Sequence, residues 1–252
     1  MPPIAVHMVL AQRLADTLGD EGIDSASGAY LLGATTPDIR VITRQDRFST
    51  HFFDLDVMDD QDSVAGLFAR YPALRDPEAL SPETRAWVCG YITHLVLDEQ
   101  YITTVYRRHF LPHERLGGTV RANVMDRLLQ FDMERNCTDD LSVRDRLGVS
   151  LSCTVDGIES GFIDPATLDR WLTVTRDIAG QGMDWERSRR MISNHLRFAG
   201  VEEAEEVARL LDSLPELLDA TIAHVTTIEI DSFVDRATEA AARAVERYLE
   251  CG

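Results

Sequence analysis

From Trp87 to Leu97 the chain is apolar on nearly every side of a helical wheel. His94 and Asp98 break that pattern, four residues apart on one stripe with Trp87, Tyr91, Tyr101 and Val105. Apolar cover all round marks a helix buried on most sides rather than one lying on a surface. Ser81 as N-cap with Pro82 in the first turn starts this central helix, which is expected to run to Phe110, where HFLPHERLGG breaks it. Ile4, His7, Met8, Ala11, Leu14, Ala15 and Leu18 keep the helical period and Gly19 supplies a stop, so a first helix is expected over Ile4–Leu18. Further helices are expected over 57–71, 118–136, 164–179, 183–198, 201–213 and 215–249, with 138–163 the least regular part. Strand alternation and internal repeats are both missing from the pattern, which gives an all-α fold in one domain.

Between the first and central helices lies SASGAYLLGATTPDIR (25–40), read as a short helix ending near Gly33 followed by a turn. Pro37 keeps Thr36 out of the helical region and sets Asp38 at a loop corner. His51 follows in RFSTHFFDLD, a segment whose pattern fixes no structure. Asp126 and Gln130 share one face of the 118–136 helix.

Composition narrows the class of function. With 252 residues and 44% hydrophobic content the chain can bury one large core. A net charge of −18 argues against nucleic acid or an anionic membrane as partner, leaving a small-molecule substrate. Cys89, Cys137, Cys153 and Cys251 are widely spaced with no CxxC pair, which fits free thiols in a reducing cytoplasm. All 25 basic residues are arginine, which carries no mechanistic reading.

Two i, i+4 ligands on a helix are a common grip for a metal, and an imidazole beside a carboxylate suits zinc or iron. The other reading of His94 and Asp98 is a buried hydrogen-bonded pair. His7 lies on the inward face of the first helix, as a core residue or a ligand. His195, His224 and the Asp231/Asp235 pair read as interhelical or solvated positions. An HD-type phosphohydrolase is excluded because no histidine is followed by aspartate.

An early helix with His7, then GATTPDIR, STHF and GYITHLVLD, in that order, resembles the zinc-dependent phospholipase C family, whose all-helical fold is shared with single-strand-specific zinc nucleases. The likeness covers about the first 110 residues and makes 1–136 the metal-site half, with the C-terminal helices over 164–249. It implies that Asp38, His51, His94 and Asp98 hold one zinc and that His7 is a ligand of a second or a completion of the first. The family's third zinc needs an H-x-x-x-E pair on the next helix, and residues 118–136 contain none, so one metal is expected, two at most. Zn²⁺ is the expected ion, with Fe²⁺ or Mn²⁺ as substitutes. The resemblance implies a hydrolase of a small phosphodiester or phosphomonoester; Asp38, in its loop, is the ligand expected to double as catalytic base, and Tyr91, Tyr101 and Asp126 are expected as substrate contacts. Two alternatives stand beside it: another metal-dependent enzyme on the same scaffold, and a non-catalytic, metal-stabilised binding protein in which four ligands close the site.

Overall fold

Two helices meet at backbone contact and set the frame for everything else. A Cβ on Gly90 would stand 1.9 Å from the Tyr30 carbonyl oxygen, and one on Gly33 would stand 2.0 Å from that of Trp87. Only glycine at both positions lets helix Ser27–Gly33 lie against the central helix Pro82–Tyr101. Beyond that contact Tyr30 and Thr93 share a buried hydrogen bond of 3.1 Å. The computed structural model describes every residue except 199, 200, 202, 251 and 252, with backbone alone at 198, 204 and 206.

Fourteen α-helices and no strand occur among the described residues, so the fold is all-α. The first helix spans Ile4–Leu18 and closes on Gly19 in the left-handed region at φ 58°. Ser81 caps the central helix through Thr84 N. Two apolar cores flank that helix. One gathers Met8, Leu32, Trp87, Leu95, Trp171 and Leu172; the other gathers Leu10, Leu97, Tyr101, Leu128, Leu214 and Phe233. The stripe from His94 to Asp98 lies where one core gives way to the other.

Several elements differ from the periodicity. The central α-helix ends at Tyr101 and continues as a π-helix over Ile102–Phe110. There Thr103 and Thr104 turn their hydroxyls onto the carbonyls of Glu99 and Gln100, in a β-branched run that strains an α-helical ladder. The helix expected over 57–71 begins only at Ser63, capped by Asp62. Ahead of it, Gln61 ties the loop by bonding Asp54 N, Asp54 O and Val57 O. Residues 138–163 contain a helix, Leu141–Ser150, that buries only Leu147 and so leaves almost no apolar stripe to read. The segment 215–249 is two helices, Leu214–His224 and Thr227–Leu249, because Thr226 and Glu229 form a reciprocal capping box that starts the second one afresh. In the segment expected over 201–213 the described helix is Ala204–Asp212, and residue 202 lies outside the described residues. Cys89, Cys137 and Cys153 are free, and Cys251 also lies outside the described residues. None of the described helices is long and apolar enough to cross a membrane.

The glycine contact gives a direct test. Gly90→Ala must push the two helix backbones apart and should cost at least about 3 kcal/mol, the upper end for overpacking. Gly148→Ala, in a helix where the added methyl meets nothing within 4 Å, should fall within about 1 kcal/mol of wild type on the stabilising side. Urea unfolding of the two variants side by side measures the difference.

Candidate metal centre

Asp98 is 2% exposed, and polar groups from three separate chain segments converge on it. His7 Nε2 stands 3.3 Å from its Oδ1; His51 Nε2 lies 3.3 Å and His94 Nε2 3.8 Å from its Oδ2. Asp38 Oδ1 is 3.6 Å from His51 Nε2, and the ring nitrogens of His51 and His94 are 3.4 Å apart. The His7 and His94 rings stack with centroids 3.8 Å apart. All five side chains proposed from sequence as metal ligands therefore meet at one place, drawn from the first helix, the turn after Gly33, the short helix Phe48–His51 and the central helix. His7, His51, His94 and Asp98 are buried, while the Asp38 side chain keeps 15% exposure and forms the one edge that reaches solvent.

Each ligand candidate is held from behind. His94 Nδ1 donates to the Ala34 carbonyl at 2.9 Å, which leaves the lone pair on Nε2 facing the cluster. His51 Nδ1 lies 3.0 Å from Thr50 Oγ1, whose own hydroxyl donates to Arg47 O, so His51 likewise turns Nε2 inward. Tyr91 donates to Thr50 O at 2.6 Å and fixes the backbone beside His51. The turn carrying Asp38 is pinned by two buried indoles, Trp87 Nε1 to Thr36 Oγ1 and Trp171 Nε1 to Thr35 Oγ1, both at 3.1 Å. This support explains why the GATTPD segment can place a charged side chain at the edge of a core.

The electrostatics follow from that crowding. Burial and the neighbouring His7 ring push the His94 pKa down to about 3, so its imidazole stays neutral at physiological pH. Burial alone would lower His51 too, but its contacts with the carboxylates of Asp38 and Asp98 outweigh burial and raise it. Burial would raise both carboxyls; the contact with His51 overrides it, holding Asp38 down to about 2 and Asp98 well below the carboxylate range.

Sequence reasoning missed Arg47. Its Nη2 donates to Asp98 Oδ2 at 2.8 Å, Nη1 to Phe53 O at 3.1 Å, and Nε lies 2.9 Å from Met1 Sδ. Arg47 precedes His51 by one helical turn, the same spacing that singled out His94 and Asp98. The segment read as having no fixed structure, so the spacing carried no weight.

The donor set fits a metal ion. His7, His94 and Asp98 form one group, and Asp38, His51 and His94 another, with ligand atoms within 4.8 Å of one another. The two groups share His94, whose single free lone pair serves one ion. Asp38, His51, His94 and Asp98 give four donor separations between 3.3 and 3.8 Å, against about 3.3 Å for the edge of a tetrahedron with bonds near 2.05 Å. His7 Nε2 and Asp98 Oδ1 are buried with no hydrogen-bond partner among the described residues, the kind of vacancy in bonding that a cation fills. The cluster can also balance itself without a metal. Two carboxylates then face Arg47 and a protonated His51, so the same geometry serves two protonation states.

Of the three side chains expected at substrate, none touches the cluster's open edge. Tyr91 and Tyr101 are fully buried, Tyr91 bonding Thr50 and Tyr101 donating to Asp126 Oδ1 at 2.7 Å. Asp126 Oδ2 accepts from Gln130 at 2.7 Å, as their shared face predicts, and Asp126 lines a separate cavity. His224 Nε2 bonds the His109 carbonyl at 3.0 Å, an interhelical role, and Asp231 and Asp235 are exposed.

Fold and cluster together define an all-helical protein with a buried His/Asp group able to hold a metal ion. No family model, no curated protein and no solved structure matches the chain.

Arg47 supplies the test of this electrostatic account. Arg47→Met leaves Asp98 without its guanidinium and should destabilise the chelator-treated protein by about 3 kcal/mol. Thermal melts with and without added Zn²⁺ should show the metal recovering most of that loss.

Proposed function

We propose that the cluster binds a single divalent metal ion and that the protein is a hydrolase of a small phosphorylated substrate, as the likeness to the zinc-dependent phospholipase C family implies. What carries this reading is the convergence of Asp38, His94 and Asp98 on His51, whose Nε2 lies 3.3 to 3.6 Å from a donor atom of each, with one carboxylate, Asp38, at the solvent edge. A bound Zn²⁺ would supply Lewis acidity toward a phosphoryl oxygen and lower the pKa of water at the site. His94 and His51 would be held as neutral ligands by Ala34 and Thr50, and Arg47 would balance the charge of Asp98. Asp38 is the corner through which a substrate reaches the centre. A carboxyl held near 2 is a better ligand than proton acceptor, so its part in catalysis lies first in completing the site.

The second reading, a metal that only stabilises the helices, is favoured by one observation: His51, His94 and Asp98, and His7 beside them, are 0 to 2% exposed. Hydrolysis of bis(4-nitrophenyl) phosphate and 4-nitrophenyl phosphate separates the two. The hydrolase reading expects turnover that chelation abolishes and that Asp38→Asn lowers about 100-fold, with little change in melting temperature. Under the stabilising role, the metal-loaded protein shows no turnover above buffer while chelation lowers the melting temperature.

A further inference from the structure

A cavity of about 410 Å³ is lined by no residue of the cluster. Met1, whose sulfur meets Arg47 Nε, forms part of its lining. Two histidines outside the cluster, His113 and His195, line this space, and His113 Nδ1 lies 3.2 Å from Thr119 Oγ1. His113 Nε2 and His195 Nε2 are both buried and find no partner among the described residues. A buried ring nitrogen left unpaired costs about 1–3 kcal/mol, and here both residues belong to the lining of one cavity.

The remaining polar groups are arranged as donors. Asn123 Oδ1 accepts from the Tyr106 hydroxyl at 3.3 Å, which leaves the amide N–H groups for another partner. Arg127 is held at one nitrogen by Gln130 Oε1 at 2.9 Å and keeps the rest of its guanidinium unbonded to the described residues. The Asp126 carboxylate has one hydrogen bond on each oxygen, from Tyr101 and from Gln130. It therefore anchors Gln130 and, through it, Arg127. Asp56 and Arg107 also line the cavity. Apolar side chains complete the lining: Ile102 is 2% exposed, and Leu55 and Leu111 are 47% and 37% exposed. The Leu55 loop is latched over the cavity by Arg107, which donates to Val57 O and Met58 O and lies over the Phe53 ring.

We propose that this cavity is a binding site for a small organic oxyanion, a phosphoryl or carboxylate group on a short apolar body, with Arg127, Asn123, His113 and His195 as its polar contacts. A lining that combines free donors with apolar side chains suits a ligand charged at one end only. In a chain of net charge −18 such a lining is out of keeping with the average surface. The site stands whether or not the cluster is catalytic, because no residue of the cluster lines it.

Calorimetric titration of the full chain, treated with chelator so that no metal at the cluster binds or hydrolyses the ester, with phenyl phosphate, benzoate and inorganic phosphate tests it. One equivalent of phenyl phosphate or benzoate should bind, the tighter of the two naming the anionic group, and both should bind more tightly than inorganic phosphate. Arg127→Met should weaken binding about tenfold or more, and His195→Gln by a smaller factor. His113→Gln, on a surface turn, provides a variant that keeps the fold if either of the others does not. Asp38→Asn should leave this binding unchanged even if it abolishes turnover, so failure of the site and failure of the hydrolase reading are told apart. Absence of saturable binding by all three probes would overturn the proposal. So would binding that is lost in Asp38→Asn and kept in Arg127→Met, because the anion would then sit on the cluster.

Discussion

A carboxylate buried to 2% exposure cannot stay ionised without cationic or hydrogen-bonding partners, and Asp98 is that carboxylate. Its neighbours read as responses to this one demand. His7 and His51 approach one oxygen each, Arg47 shares the oxygen that His51 faces, and His94 comes from one turn earlier on the same helix. A metal ion would take over much of that task, and the lone pairs of His51 and His94 are already turned toward where it would sit. Without one, Arg47 and a proton on His51 carry the charge balance instead.

The fold delivers these groups through contacts remote from them. Gly33 and Gly90 let two helices touch, and that contact brings the Ala34 carbonyl within reach of His94. Trp87 and Trp171 hold Thr36 and Thr35, which sets the turn that carries Asp38. Tyr91 holds Thr50, which orients His51. Each of these large side chains sits in the apolar core while its single polar atom reaches toward the site, so core packing and site geometry are one structure. The same helix that carries His94 and Asp98 changes to a π-helix at Ile102, and that segment brings Arg107 to the loop over the neighbouring cavity.

The central helix and the first helix were legible because their apolar period is strong and their ends carry Ser81, Pro82 and Gly19. The convergence of His7, Asp38, His51, His94 and Asp98 was legible only through the order of four short motifs, since their spacing along the chain says nothing about distances in space. Arg47 was not, because a four-residue helix leaves no period to read. Leu141–Ser150 was missed for a related reason, having one buried side chain. The break at Thr226 had its signal in the Thr226/Glu229 pair, but the apolar residues on both sides suggested continuity. His113 and His195 come together from segments about eighty residues apart, beyond the reach of local pattern. Metal identity and substrate are properties of occupancy and shape that neither pattern nor periodicity encodes.

The most direct test of the central claim is the metal content of the chain purified without added metal, measured by elemental analysis alongside His94→Ala. The account predicts one zinc, iron or manganese per wild-type chain, and its loss in the variant, since His94 belongs to both candidate ligand groups. A wild-type chain that holds no metal, and takes up none when Zn²⁺ is supplied, would contradict it and leave Asp98 balanced by Arg47 and a protonated His51 alone.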